Sequence, residues 1–486
     1  MTPDPLRVLI PAFFAAALAA APGCVSRSAL EDIVQNGRQA AGETWSNRLD
    51  QGDAEFPRLA GALTLADALK LALTHNKQLQ SIVLEKEIAA GRIVESYGEA
   101  LPTLSAGGGA RRIGPADSQQ SRVTGATDPF DLYTATVQIR QPLYRGGAIG
   151  AALKAAKLYD YWSDELIRGG VQTVLFETAS AYYEVLLSER LQAVARASLD
   201  SAESQLKIAR DMAAAGSASR YDVLRSEVGV ANAGSDLIQQ QNRRRLARNR
   251  LFQFMGVTAD PALAITGELT FEKAAPRLGE ALTAAHRNRP DLFQADLLVR
   301  LQQESLQVAR SRYYPSAYGV ASHGWSRKDG DTAEAGEWIR DWQAGVQVDF
   351  PLFDGLAREG KIRQEKALLR RRDAELADAE ERVLLEINQT LANLEDAEKV
   401  VESQSLNLLS AREALALAEA GFKEGVNTPA DLADARAALR LAEGLHAQAL
   451  YGHTLSRLSL RRAIGTLDPR DADPAVLKEF QPGAQP

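Results

Sequence analysis

The chain says nearly the same thing twice. Pro102 and Pro315 lie 213 residues apart, and so do Leu79 and Leu292. Beyond the following loop the spacing becomes 209 and holds, pairing Pro142 with Pro351, Gly146 with Gly355, Gly216 with Gly425, Asp222 with Asp431 and Gly256 with Gly465. A unit of roughly 200 residues occurring twice is a duplicated half-structure, much longer than the roughly 20–50-residue period of a solenoid. One loop is four residues shorter in the second copy. The chain is therefore expected to work with pseudo-symmetry.

Each copy changes texture in the same order. Leu65, Ala68, Leu69, Ala72, Leu73, Leu79 and Val83 fall at helical steps, which predicts a helix over 64–98 and its mate over 277–311. Thr64 three residues before Asp67 marks its start, and Pro102 stops it. Tyr133, Ala135, Val137 and Ile139 then alternate with Thr134, Thr136, Gln138 and Arg140. In the second copy Trp342, Ala344, Val346, Val348 and Phe350 alternate with Gln343, Gly345, Gln347 and Asp349. Such alternation is a strand with one apolar and one polar face. Each copy thus carries a hairpin, about 101–142 and about 314–351, whose strands of about ten residues suit a tilted bilayer crossing. Tyr313, Tyr314 and Phe353 flank one end of the second hairpin, and Trp325 and Trp338 the other, as interfacial girdles would.

Very long helices follow, about 148–215 and 356–424, on the order of 100 Å each. Gly216 and Gly425 end them, and return helices run over 221–255 and 431–464. Two shorter helices laid end to end match one long one, which predicts stacked half-helices beside full-length helices. Gly169-Gly170 has no counterpart at Asp378-Ala379, which predicts a kink or local unwinding in the first long helix.

The net charge of −7 is modest, and no basic stripe with interleaved aromatics appears, so nucleic acid is not an expected partner. The one cysteine, Cys24, follows the apolar run Val8 to Ala21. That run is too short to span a bilayer but suits a signal segment. A lone cysteine there resembles a lipoprotein processing site, whose cleavage leaves an acylated N-terminal Cys24. An ordinary cleaved signal with an incidental cysteine is the alternative. The chain then divides into a signal (1–23), an acylated and extended polar leader (24–62), the two repeats (63–275 and 276–466) and a tail (467–486).

A sheet that crosses a membrane must close, because unpaired edges in lipid leave backbone groups unsatisfied. Four strands cannot form a barrel, the smallest of which have about eight. Several chains must therefore share one: two copies give eight strands, three give twelve.

Leu63-Thr64-Leu65-Ala66-Asp67-Ala68-Leu69, the turns Pro142-Leu143-Tyr144-Arg145-Gly146-Gly147 and Pro351-Leu352-Phe353-Asp354-Gly355, and the doubled Gly-x-x-Ser/Thr-x-x-Asp elements resemble the outer-membrane efflux (TolC) family. The resemblance covers about residues 63–466. It implies a mainly α fold with a long antiparallel helical tunnel, and four strands per chain completing a twelve-stranded barrel in a homotrimer. It also implies a periplasmic adaptor and an inner-membrane pump as partners, and outer-membrane lipid around the barrel.

The tips, where the long helices turn back, carry the candidate site. Gly216 and Gly425 can adopt the left-handed conformation that ends a helix, while Ser219 and Thr428 can cap the next one. Any helical hairpin wants those residues; the resemblance adds adaptor docking. Asp431 and Asp434 share one helical face, and acidic residues at matching positions in some family members ring a periplasmic constriction. The first copy offers Asp222, but Arg225 where the second has Asp434. Helix N-termini favour acids anyway, through their dipole.

Gly355-x4-Gly360-Lys361 approaches a phosphate-binding loop, but Ile362 replaces the required hydroxyl residue. The five histidines have no metal-ligand spacing, and no Ser/His/Asp grouping exists. Neither an enzyme nor a cofactor is expected, beyond the lipid on Cys24. A non-conducting periplasmic tether would also use long helices, but it has no need for strands with a polar inward face.

Overall fold

The computed structural model describes residues 35–43, 61–113, 130–257, 263–274, 276–329 and 336–468. The expected signal, Cys24 and most of the tail lie outside these residues. Two compact units are present, divided after Leu59. In the first, residues 35–43 form an exposed helix, where the polar leader had been expected to be extended throughout. Gln39, Ala40 and Ala41 are good helix formers, and they outweigh Gly37 and Gly42.

The second unit contains β1 (Ala62–Leu63), α1 (Leu65–His75), α2 (Lys77–Gly98), β2 (Thr103–Ile113), β3 (Phe130–Arg145), α3 (Ala148–Ala214) and α4 (Arg220–Met255). The same series returns as β4 (Ala264–Ile265), α5 (Leu278–Asn288), α6 (Pro290–Ser311), β5 (Ser316–Asp329), β6 (Trp338–Asp349), α7 (Ala357–Lys423) and α8 (Pro429–Ala463). The long helices α3 and α7 have 67 residues each. Near the sheet, α2, α3, α6 and α7 pack in sequence; toward the tips, α4 and α8 take the places of α2 and α6. The stacked half-helix arrangement is therefore present.

The opening helices differ from expectation in one respect: each is broken, at Asn76 and at Arg289. These positions are register mates, and both have extended backbone. Apolar spacing runs through the breaks, so periodicity alone could not reveal them. What decides them is long-range. Asn76 caps α2 by accepting from Leu79 N at 3.0 Å, and donates Nδ2 to Phe254 O at 2.9 Å. Arg289 donates Nη1 to Ala463 O at 2.9 Å, the same carbonyl in the other copy. Two residues beyond each carbonyl, Gly256 and Gly465 end α4 and α8 with φ of 67° and 73°.

The duplicated core has the same layout in both halves. Ala72, Leu79 and Val174 cluster around the first break; their register mates Ala285, Leu292 and Val383 cluster around the second. Gly169-Gly170 falls within this region, and α3 runs through it unbroken, so no unwinding occurs. The glycines serve close approach instead. A Cβ on Gly170 would lie 2.9 Å from Ile82 Cδ1. In the second copy the mates are Ala379 and Ala295. Alanine stands at both positions there, so the fit of a glycine against an isoleucine belongs to the first copy alone. Gly170→Ala should destabilise by about 1 kcal/mol, and Ile82→Ala added to it should show a coupling energy on the order of 0.5 kcal/mol or more in a double-mutant cycle. Strict additivity would contradict this packing account.

The four long strands form one antiparallel sheet in the order β2-β3-β5-β6. Among the described residues β2 pairs only with β3 and β6 only with β5, so both edges of the sheet are unpaired there. The strands have 11, 16, 14 and 12 residues, somewhat longer than expected. Among the described residues no helix is long and apolar enough to cross a membrane.

Candidate functional site

The sheet and the two helical tips are the places where this fold meets its surroundings. Along edge strand β6 the apolar row is laid bare: Trp342 is 76% exposed, Val346 66% and Val348 62%. A contiguous exposed apolar row demands a nonaqueous partner. Trp325 and Trp338 share one end of the sheet, because Trp325 pairs with Arg340 and Arg327 with Trp338. Tyr313, Tyr314 and Phe353 adjoin the other end, just before β5 and just after β6. Twelve residues span about 40 Å, enough for a tilted crossing of a hydrocarbon core of about 30 Å.

Each tip is built by the same local chemistry. Gly216 and Gly425 both have φ of 75°. Ser217 N donates to Met212 O at 2.9 Å, and Val426 N to Gly421 O at 2.8 Å, closing the ends of α3 and α7. Reciprocal capping boxes then start α4 and α8. Asp222 N donates to Ser219 Oγ at 3.2 Å, and Ser219 N donates back to Asp222 Oδ2 at 2.9 Å. Asp431 N and Thr428 Oγ1 are likewise 3.2 Å apart, with Thr428 N donating to Asp431 Oδ2 at 2.8 Å.

Two of the three candidate gate carboxylates, Asp222 and Asp431, are thus committed to capping. The hydroxyl and backbone hydrogen bonds from Ser219 and Thr428 hold both below the usual carboxylate range. A depressed folded value gives stability above the unfolded range that is lost as pH falls through the folded value. Amide protection at the tips should therefore be flat from neutral pH to about pH 5 and decline below about pH 4. Thr428→Ala should lower protection about fivefold at neutral pH; hydrogen exchange that ignores both changes would contradict the capping geometry. Asp434 is exposed, one turn beyond Asp431, and outside the capping box.

An inverted ion pair lies just behind each tip. Arg210 of α3 meets Glu227 of α4 at 2.9 Å, and Glu419 of α7 meets Arg436 of α8 at 3.4 Å. These are register mates with their charges exchanged. The register already pairs 210 with 419 and 227 with 436, so this signal was present in the sequence.

The buried phenol of Tyr182 carries no such signal. It donates to Leu63 O at 3.0 Å and to Thr266 O, tying the β1–β4 pair to α3. Burial pushes it up to about 12. The glycine pattern near Gly355 is accounted for locally: Gly360 lies within α7, and Lys361 pairs with Glu365 at 2.7 Å. Among the described residues no group of three or more His, Cys, Asp or Glu side chains could hold a metal ion.

The profile of the outer membrane efflux protein family matches residues 68–257 and 281–466. The chain belongs to that family. It is 24% identical over 416 residues to the outer membrane protein TolC of Vibrio cholerae, covering 84% of this chain and 92% of that protein. It is 24% identical over 436 residues to the pyoverdine export outer membrane protein OpmQ of Pseudomonas aeruginosa, covering 86% and 89%. Among solved structures it superposes on the CmeC outer membrane channel of Campylobacter jejuni with a TM-score of 0.71 at 15% identity, covering 86% and 89%. The two matched segments of the efflux family coincide with the two copies found by register, and the protein is an efflux channel of the outer membrane.

Proposed function

We propose that three copies close one twelve-stranded barrel and one helical tunnel, making a passive duct that works with a periplasmic adaptor and an inner-membrane pump. The observation that carries this reading is the open four-stranded sheet: membrane-crossing length, an apolar exposed row and two unpaired edges. In lipid those edges must find partners, and β6 of one copy beside β2 of the next satisfies both. At the sheet end α2 and α7 are also the outermost helices, so the same rotation joins α7 to the next copy's α2. The exposed tips around Gly216, Ser219, Gly425 and Thr428 suit docking of the adaptor, and acylation of Cys24 would add a lipid anchor.

In this reading Asp434 supplies the charge of a periplasmic constriction, while Asp222 and Asp431 hold the helix starts that position it. A ring of three carboxylates favours cations. Purified protein in a planar bilayer should give discrete conductance steps that divalent cations block from the tip side, and Asp434→Asn should weaken that block about tenfold. A protein that inserts and never conducts would contradict the duct.

A further inference from the structure

On the apolar face of the sheet the row of small and aliphatic side chains gives way to cations at the end far from the helices. Pairing of β5 with β6 puts His323 beside Trp342, Trp325 beside Arg340 and Arg327 beside Trp338. Cross-strand partners share a face, so these six side chains lie on the side of Val346 and Val348. Further along that face the pairs are small or apolar, Ala321 with Ala344 and Ala317 with Val348. The His323 and Trp325 rings meet edge to face with centroids 4.4 Å apart. Arg327 and Arg340 are diagonal neighbours, roughly 7–8 Å apart along the ladder, and three tryptophans frame them.

The carboxylates of the sheet leave these guanidiniums short of partners. Arg327 is 12% exposed and meets Asp329 at 3.6 Å, while its Nε is buried without a hydrogen-bond partner. Arg340 is exposed and forms no ion pair among the described residues, and neither does Glu337 just before β6. The Asp341 carboxylate lies on the other face, where a Cβ on Gly324 would come within 2.7 Å of its Oδ1. Asp131 shares the face of the arginines but stands two strands from β6, 4.0 Å from Arg112. In the shared barrel β6 lies beside β2 of the next copy, and β2 contains no acidic residue. The neighbouring copy therefore brings Arg112, a further cation, and no counterion.

Ten residues separate Arg340 from Phe350, about 33 Å along the strand. At a tilt of about 40° that is about 25 Å of membrane depth, the height of a barrel's apolar band. The arginines thus sit at the headgroup level of the leaflet remote from the helices, where tryptophan belts form and long cationic side chains reach the surface. Lipid phosphate is the anion at that depth, and a guanidinium binds it through two parallel hydrogen bonds. We propose that Arg327 and Arg340 bind the phosphorylated headgroup of an outer-leaflet lipid, with the tryptophans packed around it. The inference rests on the barrel reading, and three copies would hold three such lipids.

The test is native mass spectrometry of the purified protein in mild detergent, titrated with a bisphosphorylated glucosamine lipid (lipid A) and with its dephosphorylated form. Wild-type protein should hold the phosphorylated lipid about tenfold or more tightly than the other. The double variant Arg327→Gln, Arg340→Gln should lose that preference. If the double variant does not assemble, Arg340→Gln alone, at an exposed position, should weaken the preference about fivefold. Arg111→Gln, on the opposite face of β2, should leave it unchanged. Wild-type protein that binds both lipids alike, or arginine variants that keep the preference, overturns the site and leaves the barrel intact. Protein that stays monomeric and takes up neither lipid overturns the barrel, and the site with it.

Discussion

Replacing Gly465 by alanine should cost the fold about 2–4 kcal/mol, and Gly256→Ala should do the same in the first copy. Two effects combine. Both residues have φ near 70°, where an added Cβ costs about 1–2 kcal/mol. The new methyl also has no room: on Gly465 it would lie 2.7 Å from Asn288 C and 2.8 Å from Arg289 N, and on Gly256 2.7 Å from His75 C. Those neighbours are backbone atoms at the helix breaks, so they cannot rotate away. Gly216→Ala and Gly425→Ala provide the control. Their φ is 75°, with nothing within 4 Å of a new Cβ, so only the conformational cost of about 1–2 kcal/mol applies. Thermal unfolding should therefore rank both junction variants well below both tip variants. Equal midpoints would mean that the junctions are looser than their geometry implies.

The second large effect belongs to the sheet. Val346→Arg places a charge in the exposed apolar row of β6, at a depth where lipid-facing arginine costs about 2–4 kcal/mol per copy. Gln343→Arg, on the opposite face of the same strand, should change stability by less than about 1 kcal/mol, because that face meets water in a conducting barrel. The readout is the fraction of assembled, heat-modifiable protein in outer-membrane extracts. Loss with Val346→Arg alone is the expected result; equal loss, or loss only with Gln343→Arg, would place the apolar face inward.

These two experiments probe parts of the molecule that were unequally visible in the sequence. The duplication, the hairpins and the tips were legible because each is a local pattern repeated at a fixed register. Ser219 with Asp222 and Thr428 with Asp431 are capping boxes readable from three-residue spacing. The breaks at Asn76 and Arg289 were not legible. Each is decided by a carbonyl far along the chain, Phe254 or Ala463, while the apolar spacing continues through it. Gly169-Gly170 predicts a kink or local unwinding; α3 does not unwind there, and the partner that calls for glycine at 170 is Ile82, across a helix crossing.

The segment 266–274, which crosses α3 and α8, shows the same limit. Tyr182 and His453 are ordinary positions until that segment is seen to cross them, Thr266 O against the Tyr182 hydroxyl and the Phe271 ring against His453. The exchanged pairs Arg210–Glu227 and Glu419–Arg436 mark the opposite case. Both residues and their register are in the sequence, and the pairing follows once helices α3 and α7 are known to turn back at the tips. Charge reversal with conserved pairing suits two halves that must dock as neighbours without becoming identical.

The central claim is that one chain supplies only part of a closed membrane sheet. Native mass spectrometry of protein extracted from the outer membrane in mild detergent tests it most directly. The account predicts one dominant species at three times the mature chain mass, with each N-terminus at Cys24 carrying acyl groups if the lipid anchor is present. A monomer stable in detergent would leave two strand edges unpaired and contradict the shared barrel.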